Sequence, residues 1–152
     1  MKKDSSPEPL ADREIVTTRV IDAPRELVFK AWTDPEHLAQ WWGPKGFTNT
    51  FQEFDMRPGG AWRFVMHGPD GVDYKNKSVF VEIVRPERIV VRHVSGPRFQ
   101  VTATFAEQPG KTRLTFQMLF DTAAECAKVK GFAVEANEQN FDRLEAQLAR
   151  MA

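Results

Sequence analysis

Cysteine is almost missing from this chain. Cys126 is the only one in 152 residues, which excludes an internal disulfide and any multi-cysteine metal site. Histidine is scarce too, with only His37, His67 and His93. No two of them stand at a helical or strand ligand spacing beside a carboxylate, so no metal site is expected. Neither sign of charge is in excess, with 21 Lys+Arg against 21 Asp+Glu. That removes the global electrostatic case for nucleic acid or an anionic membrane. No apolar run approaches the roughly 20 residues of a membrane span, so no membrane insertion is expected. The polar start has no apolar h-region and is not a secretory signal. Residues 1–12 read as a disordered lead-in, residues 13–152 as one domain, and the cytoplasm as the compartment. No repeat, low-complexity tract or phosphate-binding glycine loop is present, since Gly59-Gly60 is too short a pattern and reads as a turn.

What is present begins with a dense stretch from Ala23 to Trp42. Pro24 and Pro35 each suit a first helical position, where a missing N–H costs nothing. Asp34 is a good N-cap, able to accept the free N–H groups of the next turn. Leu27, Val28, Ala31 and Trp32 recur at helical spacing. Two short helices are expected here, closing on the Trp41-Trp42 pair.

Strand-like segments surround them. Glu14–Ile21 alternates and is β-branched. After the turn cluster Gly43-Pro44-Lys45-Gly46 come Phe47–Met56, Ala61–His67, Asp73–Val84, Arg88–Val94, Arg98–Glu107 and Thr112–Phe120. Each is bounded by breakers, including the hairpin signal Gly68-Pro69-Asp70-Gly71. Seven strands at hairpin spacing favour an antiparallel meander after the helices. Alternation predicts the inward sets Trp62, Phe64 and Met66; Val79, Val81 and Ile83; Ile89, Val91 and His93; Phe99, Val101, Ala103 and Phe105; and Leu114, Phe116 and Met118.

The tail reads as helix. Thr122-Ala123-Ala124-Glu125 matches a capping box. Phe132, Ala133, Ala136, Phe141, Leu144 and Leu148 then form one apolar face. Gly131 should cost about 1 kcal/mol inside a helix, so it marks a kink or the true start of a long helix over Phe132–Arg150. That apolar stripe must cover the concave face of the sheet.

Several motifs carry a family resemblance: Ala23-Pro24 to Trp32, Asp34-Pro35-Glu36 to Trp41-Trp42, Asp55-Met56-Arg57-Pro58-Gly59-Gly60 with Trp62, Pro86-Glu87-Arg88-Ile89, and Thr112-Arg113-Leu114-Thr115. In this order they resemble the START-like (SRPBCC) superfamily, and within it the branch named after the activator of heat-shock protein 90 ATPase. The resemblance implies an α+β helix-grip (START-like, Bet v-like) fold. An antiparallel sheet of about seven strands would curve around a long C-terminal helix, with two short helices after the first strand. Many members carry Gly-Trp where this chain has Ala136-Asn137, which should enlarge or polarise the cavity at that point. Fold is shared far more widely than function in such families.

Twelve phenylalanines and four tryptophans exceed what a plain core of this size requires, and an aromatic-lined pocket is the usual small-molecule site. The residues expected to border it are Trp41, Trp42, Trp62, Phe64, Tyr74, Val101, Phe132, Asn137, Asn140 and Phe141. His93 sits at inward parity and reads either as a hydrogen-bonded core histidine or as a general acid/base, because an apolar setting favours the neutral imidazole. Cys126 reads as a small apolar helix residue. These features, together with the activities and the family name that the resemblance brings, leave three functions open. A carrier or sensor would bind a small hydrophobic or aromatic molecule. A cyclase- or hydratase-type enzyme would use His93 for proton transfer, with Asn140 or Tyr74 as oxyanion donor. A chaperone-ATPase co-regulator would act through protein contacts. No cofactor is implied, and a homodimer is left open.

Overall fold

Alternating β-branched residues make β1 (Glu14–Ile21) an edge strand in the computed structural model of the chain, which describes residues 9–95 and 98–151. Helices α2 (Arg25–Thr33) and α3 (Pro35–Trp41) then carry the chain across one end of the sheet to β2 (Thr48–Phe54) at the far edge. Asp34 caps α3, its carboxylate accepting the Glu36 N–H at 3.0 Å. The meander continues through β3 (Ala61–His67), β4 (Asp73–Val84), β5 (Arg88–His93), β6 (Phe99–Gln108) and β7 (Lys111–Phe120). β7 pairs with β1, giving the order β1-β7-β6-β5-β4-β3-β2 with every pairing antiparallel. The helix α4 (Ala123–Met151) lies across this sheet. This is the helix-grip arrangement.

Three expectations need correction. The lead-in of residues 1–12 falls mostly on residues 1–8, outside the described residues, but its end is a helical turn, α1 (Leu10–Arg13), lying against α4. The Arg13 guanidinium fixes it by donating to the Phe120 carbonyl at 3.1 Å. The last helix starts at Ala123 rather than Phe132. Thr122 caps it, its hydroxyl accepting the Glu125 N–H at 3.1 Å, and Gly131 sits on an open face where a Cβ would meet nothing. Finally, β4 turns the other way. Ser78 and Phe80 are buried while Val81 is 48% exposed. A bulge between Phe80 and Glu82 inserts one residue, so Ile83 returns to the inner side while Val79 and Val81 do not.

The core fills the closed end of the grip. Phe141, Leu144 and Leu148 of α4 are buried against Phe105, Leu114 and Phe116 and against Val28 and Trp32 of α2. Arg19 on β1 locks the helix from outside, donating to Glu138, Asp142 and Glu145 at 2.6–2.9 Å. Burial alone would lower its pKa, but those three hydrogen bonds outweigh that and raise it.

Candidate functional site

The size of the residues along α4 decides where the grip is filled and where it is hollow. Its C-terminal half offers Phe141, Leu144 and Leu148 to the core, whereas Ala133, Ala136 and Asn137 present short side chains. Opposite this thin stretch lies a cavity of about 310 Å³. That volume is at the lower end of ordinary ligand pockets.

Strand register builds its floor. Trp62 pairs with Ser78, Ser78 with His93, His93 with Phe99, and Phe99 with Phe120. These five residues form one row across β3 to β7, and all five border the cavity. Ser78 is the smallest of them and makes room between two rings. A second row, Val91, Val101 and Met118, lies beside it. The end wall is the loop Trp42-Gly43-Pro44. Gly43 has a φ of +100°, and a Cβ there would come within 2.7 Å of the Met66 methyl, so glycine is required on both counts.

Three side chains of α4 hold that loop. The Asn140 Oδ1 accepts the Gly43 N–H at 3.1 Å, and the Gln139 Oε1 accepts the Lys45 N–H at 3.2 Å. Arg143 donates to the carbonyls of Gly43, Pro44 and Phe47 at 2.8–2.9 Å, to Gln40 at 3.1 Å and to Trp42 at 3.4 Å. Burial among these groups lowers the Arg143 pKa. Sequence reading missed Arg143 altogether. The only available signal was its place one turn beyond Asn140 on the same helix.

Of the residues expected at the pocket, Trp42, Trp62, Phe64, Val101, Phe132, Asn137 and Asn140 border it together with His93. Trp41, Phe141 and Tyr74 do not. Trp41 is fully buried behind the wall, with its indole N–H donating to the Ala31 carbonyl at 3.0 Å. Phe141 is fully buried and meets Phe116 edge-on at 5.7 Å, so it supports the cavity from behind. Tyr74 shares the inner face of β4 with Asn76 and Ser78 but lies beyond the cavity rim, 43% exposed, with its ring 5.9 Å from Phe47 and its hydroxyl donating to Asp70 at 3.4 Å. Loss of hydration and the Asp70 charge raise its pKa. It cannot serve as an oxyanion donor in the cavity. Phe132 is 64% exposed and, with Val129, forms the mouth rather than the buried stripe. Asn76, Ser78, Met66 and Phe99 are further lining residues.

Polar chemistry in the cavity is sparse and uncharged. Among the described residues no Lys, Arg, Asp or Glu lines it, and His93 is the one titratable side chain that does. The His93 ring stacks on Phe99 at 4.7 Å, and its Nε2 lies 2.8 Å from the Asn76 Oδ1. The Asn76 Nδ2 donates to the Tyr74 carbonyl at 2.9 Å, so the amide cannot be reversed and Nε2 must carry the proton. That nitrogen is a donor, which leaves Nδ1 as the basic nitrogen of the ring. His67 and His37 lie away from the cavity: His67 bridges Asp73 at 2.8 Å and Thr50 at 2.7 Å, and His37 meets Gln147 at 3.0 Å. Among the described residues no group of His, Cys, Asp and Glu could hold a metal ion, and no helix is long and apolar enough to cross a membrane.

Comparison with known proteins agrees with this architecture. Solved structures share the fold over most of their length. A protein from Nitrosomonas europaea is 21% identical, with a TM-score of 0.85 over 93% of this chain and 97% of its own. One from Chromobacterium violaceum is 26% identical, with a TM-score of 0.76 over 90% and 96%. The AHSA1-like protein of Aeromonas hydrophila is 23% identical, with a TM-score of 0.73 over 88% and 92%. No match is found among curated proteins. The model of one family covers residues 22–149, from the turn before α2 to the last turns of α4, and so spans the cavity and the helix that closes it; the chain belongs to the activator of Hsp90 ATPase homolog 1-like family.

Proposed function

We propose that the protein binds a small, predominantly apolar or aromatic molecule in the cavity between the sheet and α4. The observation that supports this most is the cavity itself: about 310 Å³ bordered mostly by rings and aliphatic side chains, with a handful of uncharged polar groups. Interiors normally pack to a density near 0.74, and leaving such a void lined by aromatics forfeits contacts that a ligand would restore. Binding is favoured over proton transfer because the lining offers one titratable side chain among the described residues and no second acid or base to pair with it.

N-phenyl-1-naphthylamine, an uncharged fluorescent probe, tests this reading. Saturable binding of one probe per chain is expected, with energy transfer from Trp42 and Trp62, which border the cavity. Filling the cavity by Ala136→Phe should abolish it. No saturable binding, or binding indifferent to that substitution, would overturn the reading.

A further inference from the structure

The two asparagines of α4 that border the cavity are fixed in opposite senses. The Asn140 Oδ1 accepts the Gly43 N–H. A backbone N–H can only donate, so the amide orientation is set and Nδ2 is left with no partner among the described residues. The Asn137 amide meets the Thr17 hydroxyl at 3.3 Å, which can face either end of it, and the Met118 sulfur at 3.5 Å, which can only accept; the sulfur therefore places Nδ2 on that side and leaves Oδ1 unpartnered. Both residues are more than nine-tenths buried. They stand three positions apart on one helix face, where Cβ atoms lie about 5–6 Å from one another. One ligand atom can therefore be reached by both.

We infer that this pair is a recognition point for a single uncharged group that donates and accepts at once, and that the ligand is a hydroxylated aromatic. Its hydroxyl would donate to the Asn137 Oδ1 and accept from the Asn140 Nδ2. This rests on the cavity being a ligand site. A carboxylate would meet the Asn137 oxygen as a second acceptor, with no Lys or Arg in the lining among the described residues to compensate, and an ammonium would meet the Asn140 donor. A plain hydrocarbon would leave both buried amide groups unsatisfied. The Ser78 hydroxyl on the opposite wall has no protein partner among the described residues. It can rotate to donate or accept, so it does not decide the class.

Calorimetric titration at neutral pH with 2-naphthol, naphthalene, 2-methoxynaphthalene and 2-naphthoate tests the inference. 2-Naphthol should bind about tenfold more tightly than naphthalene, the worth of two net hydrogen bonds. It should exceed 2-methoxynaphthalene, which accepts without donating, and 2-naphthoate should bind weakest. Asn140→Asp keeps an acceptor for the Gly43 N–H but removes the donor. It should erase the preference for 2-naphthol while naphthalene binding, which also reports folding, persists. Asn137→Leu should do the same. Equal affinity for 2-naphthol and naphthalene in the unmodified protein overturns the inference and leaves the cavity reading intact. So does 2-naphthoate binding as tightly as 2-naphthol. Failure of all four to bind overturns the cavity reading itself, and the inference with it.

Discussion

Replacing Arg143 by methionine should be among the most damaging single changes outside the core. Methionine keeps the apolar stem and removes the guanidinium. Five carbonyls of residues 40–47 then lose a donor, three of them held at 2.8–2.9 Å. A hydrogen bond to a charged group is worth about 1.5–3 kcal/mol net. The five are not additive, because one desolvated cation makes them all and its burial, seen in the lowered pKa, offsets part of the gain. Water can also replace the bond to the Gln40 carbonyl, which is made at the exposed edge of the cluster. A loss of about 2–4 kcal/mol follows, or a drop in melting temperature of roughly 5–15 °C for a chain of this size. Thermal and urea unfolding measure it directly. Arg143→Lys should recover less than half, since an ammonium offers three donors but no planar fork. A methionine variant within about 0.5 kcal/mol of the parent, the range of an ordinary surface change, would refute the claim that this side chain holds the loop. Because Trp42, Gly43 and Pro44 form the end wall of the cavity, probe affinity should fall alongside stability.

Other consequences can be checked separately. Asn137→Trp should place an indole in the cavity and reduce N-phenyl-1-naphthylamine affinity at least tenfold without loss of melting temperature; unchanged affinity would put the probe elsewhere. On β4, Phe80→Ala should cost about 3–5 kcal/mol as a large-to-small core change. Val81→Thr should stay within about 0.5 kcal/mol as a surface one, and similar costs for both would contradict this facing of the strand. The hydrogen bond from Arg88 holds the Glu82 carboxyl below its ordinary range. Its contribution is therefore present above the unfolded-state pKa and lost as pH falls through the folded-state value. The difference in melting temperature between the parent and Glu82→Gln should shrink on acidification, and a constant difference would rule the coupling out.

Local chemistry made the architecture readable. Asp34-Pro35 marks a helix start with its own cap, and Asp70-Gly71 forms a turn, Gly71 having φ +84°. Neither depends on a distant residue. Thr122 and Glu125 are equally local, and their cap outweighs the glycine at Gly131. About 1 kcal/mol of glycine cost cannot stop a helix whose cap and buried face, from Cys126 through Ala133, are already in place. The inner set on β4 failed for a different reason. Counting by twos holds only while pairing is regular, and the bulge at Phe80/Glu82 is a property of two strands together. Tyr74 has the inner parity of the same strand and still misses the lining, because it lies beyond the end of the cavity.

The cavity is harder to read because it is a deficit. It exists where Ser78 on β4 faces Ala133, Ala136 and Asn137 on α4, and no sequence window contains both sides. What the cavity offers a ligand is more remote still. Two asparagines three residues apart on a helix are chemically identical in sequence. One becomes a donor because Gly43, a turn residue that needs positive φ, spends its N–H on the other end of the amide. The other becomes an acceptor because the Met118 sulfur on β7, which can only accept, faces its nitrogen. Polarity at the site is thus assigned by the strand order and the loop that Arg143 holds, rather than by the residues that carry it. A relative with the same two asparagines and a different loop after α3 would present a different pair of atoms. Ligand preference in this fold should therefore follow that loop as closely as it follows the lining.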